Sequence, residues 1–247
     1  MNSILLQVLL PLTSAHLLGD FIFQSDNDVK NKKRYSIFIK HILILTLLSY
    51  LLTGMWNDYI IPLSILVSHT IIDLLKKQIK KDTFILFAAD QFAHLLVIMI
   101  LVFYMQPAFE SGDAQSYWYN IFGNGYLVTL TIASALIMTT KVSSIIVTYT
   151  IKPVQFKLFQ SDSSEIQINT GRLVGQLERT IILLLFIADM PAVIGFLITA
   201  KSILRYGEIK NEKDKSMVEY ILIGTLISFA LGIAIGYSTT EFIKLIN

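Results

Sequence analysis

Apolar blocks about as long as a membrane-spanning helix alternate along the chain with short polar segments. Such blocks form helices in a bilayer, because every backbone hydrogen bond is then made within one segment. The blocks cover residues 3–24, 36–53, 59–76, 83–105, 125–150 and 217–237, with a longer apolar stretch at 173–205. The pattern predicts an all-α fold, a polytopic transmembrane helical bundle.

Basic residues divide the connections between blocks into two kinds. Lysines and arginines follow the first and third blocks and flank both ends of 173–205, whereas 56–58 and 109–125 carry only acidic charges. The positive-inside rule then places the N-terminus outside and the basic connections in the cytoplasm. The stretch 173–205 must therefore cross an even number of times. We expect it to turn at Asp189-Met190-Pro191, as two short helices or a re-entrant hairpin, which gives about eight membrane segments.

The composition agrees with a membrane protein. Of the 247 residues 54% are hydrophobic and 15% charged, against roughly 25% charged in soluble domains, and the mean hydropathy is +0.62. The net charge is only +2, and the lysines lie in short loops between the spans, so we expect no nucleic-acid partner. Residues 13–15 resemble a leader cleavage site, but no basic residue precedes the run, which favours an uncleaved first span.

All four histidines lie inside predicted spans, and three of them have an aspartate four residues away. The pairs are His16 with Asp20, His69 with Asp73, and Asp90 with His94. Residues four apart share one face of a helix. Because the fourth span runs in the opposite direction, each aspartate lies nearer the cytoplasm than its histidine. The pairs thus lie at one depth, where the first four helices can enclose a polar chamber.

The chain has no cysteine, so a metal would need imidazole and carboxylate ligands. We expect His16, Asp20, His69, Asp73, Asp90 and His94 to hold a divalent ion, Zn, Mn or Fe. A proton relay and structural pairing between helices are the alternatives. Further polar residues could line the chamber: Gln24, Lys40, His41 and Gln91. We expect Lys76 and Lys77 to extend to the membrane interface instead.

The histidine intervals indicate an internal repeat. His16 and His41 are separated by the same interval as His69 and His94, and each interval holds a span, a basic inner loop and the next span. The first four helices would then be two parallel hairpin repeats.

The second half carries basic and acidic residues at the cytoplasmic level. Guanidinium and ammonium groups suit phosphate, so an anion site could use Arg172, Arg179, Lys201 and Arg205. Glu178 and Glu219 could equally neutralise them in a structural network. We expect three parts: a membrane unit at 1–106, an external loop at 107–124, and a second membrane unit at 125–247 with a cytoplasmic insertion at 152–170.

Three motifs carry a resemblance to a known family: HLLGDFIFQ at 16–24, HTIIDLLKK at 69–77 and DQFAH at 90–94. With them the chain resembles the bacterial integral membrane family called domain of unknown function 3307, over roughly the first four spans. GRLVGQLER, AKSILRYGEIK and EYILIGTLIS resemble the C-terminal extension of longer members. The chain is also faintly similar to bacterial proteins labelled membrane-bound metal-dependent hydrolases. The resemblance implies the bacterial inner membrane and a joint role for the histidines and aspartates, and it names no substrate.

Three functions fit these residues. The first is an intramembrane metal-dependent hydrolase, acting from the cytoplasm on a phosphorylated or lipid-linked substrate, with Asp20 or Asp90 as general base. The second is an ion-coupled transporter, for which a repeat and buried ionisable residues are also expected. The third is a noncatalytic membrane partner or regulator with a structural metal. The partners expected are the lipid bilayer and an anionic small molecule or lipid.

Overall fold

The described part of the chain folds into helices alone. The computed structural model describes residues 3–25, 28, 34–79, 82–112, 114–158, 165–206 and 212–247, with the backbone alone at 3–4, 153–158, 165–170, 204–206 and 212–220. The α-helices are α1 Ser3–Phe21, α2 Tyr35–Thr53, α3 Ile60–Gln78, α4 Phe84–Glu110, α5 Tyr117–Phe122, α6 Asn124–Ile137, α7 Ser143–Leu158, α8 Glu165–Ile187, α9 Ile194–Tyr206 and α10 Glu212–Ile246. The predicted all-α class is confirmed.

Local chemistry sets several helix ends. Gly54 ends α2 with a left-handed φ of 61°, a conformation that glycine adopts without a side-chain penalty. Asp58 accepts hydrogen bonds from the backbone N–H groups of Ile60 and Ile61 at the start of α3. The Thr83 side chain caps α4 by accepting from the N–H of Leu86.

Two contact units divide the chain, one of Met1–Ile137 with Phe242–Asn247 and the other of Met138–Glu241. In the first unit, α1 packs against α2 and α4, and α3 packs against α2 and α4, so these four helices form a closed ring. Helix α6 packs on the outside of α1. An apolar core fills one end of the ring, and its buried side chains include Val8, Leu45, Ile61, Val102 and Met105.

The segment 107–124, expected to be a loop, contains helical structure. Helix α4 continues to Glu110, and α5 begins at Tyr117 after the N-cap residue Ser116, whose side chain accepts a hydrogen bond from the N–H of Tyr119. A six-residue helix is too short for its periodicity to be recognised. Trp118 of this helix donates to the carbonyl of Leu51 and anchors the segment on α2.

Four described helical segments are long and apolar enough to cross a membrane: Tyr35–Thr53, Phe84–Glu110, Asn124–Lys152 and Ile221–Ile246. Leu5–Phe21 and Pro191–Ile203 form shorter apolar helices. Helix α3 is not among the four, and its second half carries Asp73, Lys76 and Lys77. The break expected at Asp189–Pro191 is confirmed, because Asp189 has a φ of 56° and a 3-10 turn, Pro191–Val193, follows.

Candidate metal centre

The polar residues of the first four helices meet inside the ring, one helical turn from its apolar core. Four buried apolar side chains form a layer: Leu12, Leu45, Ile65 and Ile98. Each precedes or follows a buried histidine by four residues, so the next turn is an imidazole layer of His16, His41, His69 and His94. Helical periodicity alone creates this sequence of layers.

A carboxylate layer follows the imidazoles on three of the four helices. Asp20, Asp73 and Asp90 each lie one turn beyond a histidine. On α2 the corresponding position is Ile37, so the two proposed hairpins differ there. The structure brings together all six residues for which the sequence suggested metal ligation, and His41 joins them in the centre.

Asp20, His41 and His69 form one group of donor atoms. Nε2 of His41 lies 3.4 Å from Oδ1 of Asp20, and Nε2 of His69 lies 3.6 Å from that oxygen. The two nitrogens are 3.1 Å apart. Three different helices therefore direct one donor each to the same point.

Asp73, Asp90 and His94 form a second group, with one ligand atom from each within 4.8 Å of the others. Nε2 of His94 lies 3.7 Å from Oδ1 of Asp90. The ring of His94 also stacks on the ring of His69, with centroids 4.1 Å apart. A third group of His16, His69 and His94 meets the same distance limit.

Most of these spacings exceed those of hydrogen bonds. Nitrogen-to-oxygen hydrogen bonds are about 2.9 Å long, whereas the imidazole–carboxylate pairs are separated by 3.4 to 4.0 Å. Two donors that each lie about 2.1 Å from one ion are about 3.0–3.5 Å apart. The shortest imidazole–carboxylate distance, 3.4 Å between His41 and Asp20, fits two ligands of one ion.

Three atoms of the centre are buried without a hydrogen-bond partner in the described structure: Oδ1 of Asp20, Oδ1 of Asp90 and Nε2 of His94. Burying an unsatisfied polar atom costs about 1–3 kcal/mol, and more for a charged group. Cations bound among these donors would satisfy all three atoms. The donor chemistry therefore fits a divalent metal ion.

Lys76 is the residue of the centre that sequence reasoning missed. Its Nζ donates to Oδ2 of Asp90 at 2.5 Å, and Nε2 of Gln91 donates to the same oxygen at 3.1 Å. Oε1 of Gln91 lies 3.3 Å from Nε2 of His16. Lys76 follows Asp73 by three residues, so the two side chains lie on the same face of the helix. This spacing indicated a place in the centre, but the position of Lys76 at the end of a span favoured the membrane interface.

Access to the centre is greatest beside Asp20 and Lys76. The side chain of Asp20 is 13% exposed and that of Lys76 is 44% exposed, whereas those of His16 and Asp90 are 5% and 4% exposed. On the opposite side of the imidazoles, a cavity of about 10 Å³ is lined by His16, His69 and His94 and by Ser49 and Ser68 among apolar residues. A cavity of this size is at the lower limit for holding one water molecule.

The remaining predicted lining residues have different environments. Gln24 is half-buried, and its Nε2 has no hydrogen-bond partner among the described residues. Lys40 is exposed. It directly precedes His41, and adjacent residues point about 100° apart around a helix, so Lys40 lies off the buried face of α2. Lys77 lies 5.4 Å from the ring centroid of Tyr35 and 5.2 Å from that of Phe38.

The basic residues of the second unit have separate partners. Arg179 is buried and donates to the carbonyl of Thr139 and to the hydroxyls of Ser144 and Ser228. The Thr139 carbonyl belongs to a π-helical turn, Met138–Val142. This network joins α8 to the π-helical turn, to α7 and to α10.

Lys201 forms an ion pair with Glu178, with 2.6 Å between Nζ and Oε1, whereas Arg172 is exposed. The side chains of Arg205 and Glu219 and part of the insertion 152–170 lie outside the described residues. Protein groups thus already bind two members of the predicted anion set, Arg179 and Lys201.

Comparison with known proteins supports the resemblance seen in the motifs. Residues 8–122 match the family described as Protein of unknown function (DUF3307), a range that includes the whole imidazole and carboxylate cluster. The chain therefore resembles that family over its first four helices and α5. No match was found among curated proteins or among solved structures.

Proposed function

We propose that this protein is an intramembrane metal-dependent hydrolase that acts on a phosphorylated or lipid-linked substrate. The observation that carries the proposal is a set of buried atoms that have no hydrogen-bond partner among the described residues, within a cluster of imidazoles and carboxylates: Oδ1 of Asp20, Oδ1 of Asp90 and Nε2 of His94. Neutral imidazole and carboxylate together suit Zn, Mn or Fe. A buried donor set with unsatisfied atoms favours a metal centre over a purely structural network.

A divalent ion held by these residues would make water nucleophilic at neutral pH and polarise a phosphoryl oxygen. Asp20 is placed to act as general base through Oδ2, since Oδ1 lies among the ligand atoms and the side chain is partly exposed. Asp20 takes the proton as the water oxygen bonds to phosphorus. The phosphorus–oxygen bond to the leaving group breaks, the departing oxygen keeps the electron pair and takes a proton from solvent water, and Asp20 returns its proton to solvent.

Lys76 is the basic residue best placed to hold the anionic part of the substrate. Its Nζ lies beside Asp90 at the edge of the centre, while nearly half of its side chain is exposed. A substrate phosphoryl group that approaches from the carboxylate end would meet this ammonium before the ion. Asp90, whose Oδ2 is bound by Lys76 and Gln91, would offer Oδ1 either as a ligand or, as the second candidate, as the base.

The proposal includes a membrane topology. With eight membrane segments and an outside N-terminus, the carboxylate end of the centre would lie at the cytoplasmic face of a bacterial inner membrane. The equal histidine intervals support two parallel hairpin repeats. Substrate would then reach the centre from the cytoplasm or the inner leaflet.

An ion-coupled carrier is the alternative within the same membrane class. A carrier needs a polar path on both sides of its binding site. The apolar layer of Leu12, Leu45, Ile65 and Ile98 adjoins the imidazoles on one side, and this favours a site open at one end.

Hydrolysis by purified protein tests the proposal. The full chain in detergent, supplied with Zn or Mn, is expected to release phosphate from a water-soluble phosphomonoester or from phosphatidic acid in mixed micelles. Asp73→Ala should abolish both release and metal binding. Asp58→Asn is the matched control, because Asp58 caps the same helix far from the centre. Unchanged metal content and unchanged hydrolysis in Asp73→Ala would overturn the proposal.

A further inference from the structure

Two of the three groups of donor atoms in the centre share no residue with each other. Asp20, His41 and His69 form one, and Asp73, Asp90 and His94 form the other. A single nitrogen lone pair binds one ion, so groups that share a histidine Nε2 compete for it. These two groups do not compete, because six different side chains supply their donors.

Each group also contains its own buried atom without a hydrogen-bond partner in the described structure. The first has Oδ1 of Asp20, and the second has Oδ1 of Asp90 and Nε2 of His94. An ion bound by the first group alone would leave the two atoms of the second group unsatisfied. Burial of unsatisfied donors and acceptors is unfavourable, so one ion does not complete the centre.

Asp73 links the two groups. It belongs to the second, yet its Oδ2 lies 3.7 Å from Nε2 of His41 and 3.8 Å from Nε2 of His69 in the first. A carboxylate beside two sets of ligands can bind one ion with each oxygen. Two-metal hydrolytic sites hold their ions about 3.5–4 Å apart and use them to stabilise both the attacking and the leaving oxygen.

We propose that the centre binds two divalent ions, one held by Asp20, His41 and His69 and the other by Asp90 and His94, with Asp73 between them. The inference deepens the proposed hydrolase and rests on it. In that reaction the ion near Asp20 would activate the attacking water, from which Asp20 takes the proton. The ion near the Asp90–Lys76 pair would stabilise the charge on the leaving oxygen.

Manganese titration of the full chain in detergent tests the inference. We expect two Mn²⁺ per chain by elemental mass spectrometry, with an electron paramagnetic resonance spectrum of spin-coupled ions. His41→Ala and His94→Ala should each retain one uncoupled ion, and Asp58→Asn should retain two coupled ions. One uncoupled Mn²⁺ per unmodified chain would overturn the inference, and that measurement needs no variant to fold.

The two proposals can fail separately. One bound ion together with phosphate-ester hydrolysis would overturn the two-ion centre and keep the hydrolase. Two coupled ions in a protein that hydrolyses neither phosphomonoesters nor phosphatidic acid would keep the two-ion centre and overturn the hydrolase.

Discussion

Nε2 of His41 lies 3.1 Å from Nε2 of His69, although the two residues belong to different helices and are 28 positions apart in the chain. Two imidazolium ions cannot face each other at this distance, because their positive charges repel in a buried site. At least one ring is therefore neutral. A cation that accepts both lone pairs would explain why α2 and α3 direct these nitrogens to one point.

Lys76 should affect hydrolysis more than metal binding. In Lys76→Met the ammonium beside Asp90 is lost, while the imidazole and carboxylate ligands remain. We expect metal content to stay the same and kcat/KM for a phosphoester to fall about 100-fold or more, as for other charged groups that stabilise a transition state. Lys77→Met, on the same turn of α3, is the control. Loss of metal in Lys76→Met would instead assign Lys76 to the support of Asp90.

Gly19 sets the distance between α1 and α2 next to the centre. A Cβ at this position would lie 2.9 Å from Cδ1 of Leu45, and Leu45 is buried in the core. Gly19→Val should therefore push the helices apart and separate Asp20 from His41, with a packing cost of about 1–3 kcal/mol and metal affinity lowered about tenfold or more.

Isothermal titration of Mn²⁺ measures that loss. Gly125→Ala is the control, because a Cβ there meets no atom within 4 Å. Equal affinity in Gly19→Val and the unmodified chain would show that the α1–α2 distance does not control the centre.

Gly54 is required by both backbone and packing at the end of α2. Its φ is 61°, and a Cβ would lie 2.7 Å from Cδ1 of Trp118. Left-handed backbone costs other residues about 1–2 kcal/mol, so Gly54→Ala should lower the free energy of unfolding in mixed micelles by at least that amount. Metal content should be unchanged in the folded fraction, since Gly54 lies at the opposite end of α2 from the centre. A stability equal to that of the unmodified chain would contradict the assigned strain.

Arg179 should stabilise the second unit rather than bind substrate. Arg179→Met removes three donated hydrogen bonds, and we expect a loss on the order of 3 kcal/mol in the free energy of unfolding. Arg172→Met, at an exposed position of the same helix, should change it by less than about 0.5 kcal/mol. If Arg179→Met unfolded with the same free energy as Arg172→Met and had a raised KM for a phosphoester, Arg179 would be assigned to an anion site instead.

Periodicity predicted much of the centre before the structure was known. Four-residue spacing placed His16 with Asp20 and His69 with Asp73 on single helix faces, and these faces meet in the ring. The sequence alone kept Lys40 and His41 as lining residues, but in the structure Lys40 is exposed and His41 is buried. His41 has no aspartate four residues away that would indicate which face of its helix points inward. That orientation depends on packing against neighbouring helices, so the central position of His41 is evident only from the structure.

Contacts between helices were the least predictable part. The Lys76–Asp90 ion pair joins α3 to α4, and the relative rotation of two helices is set by packing rather than by either sequence. The same limit applies to Arg179, whose acceptors come from the π-helical turn, α7 and α10. Residue type showed that a buried arginine needs partners, but it did not identify them.

Metal content is the most direct test of the central claim. Elemental mass spectrometry would be performed on the detergent-purified chain, prepared without chelators and supplied with Zn or Mn, beside a folded variant that combines His69→Ala with Asp73→Ala. The structure predicts tightly bound metal in the unmodified chain and its loss in the double variant. An unmodified chain that stays free of metal at saturating Zn and Mn would contradict the metal centre and leave a structural imidazole–carboxylate network in its place.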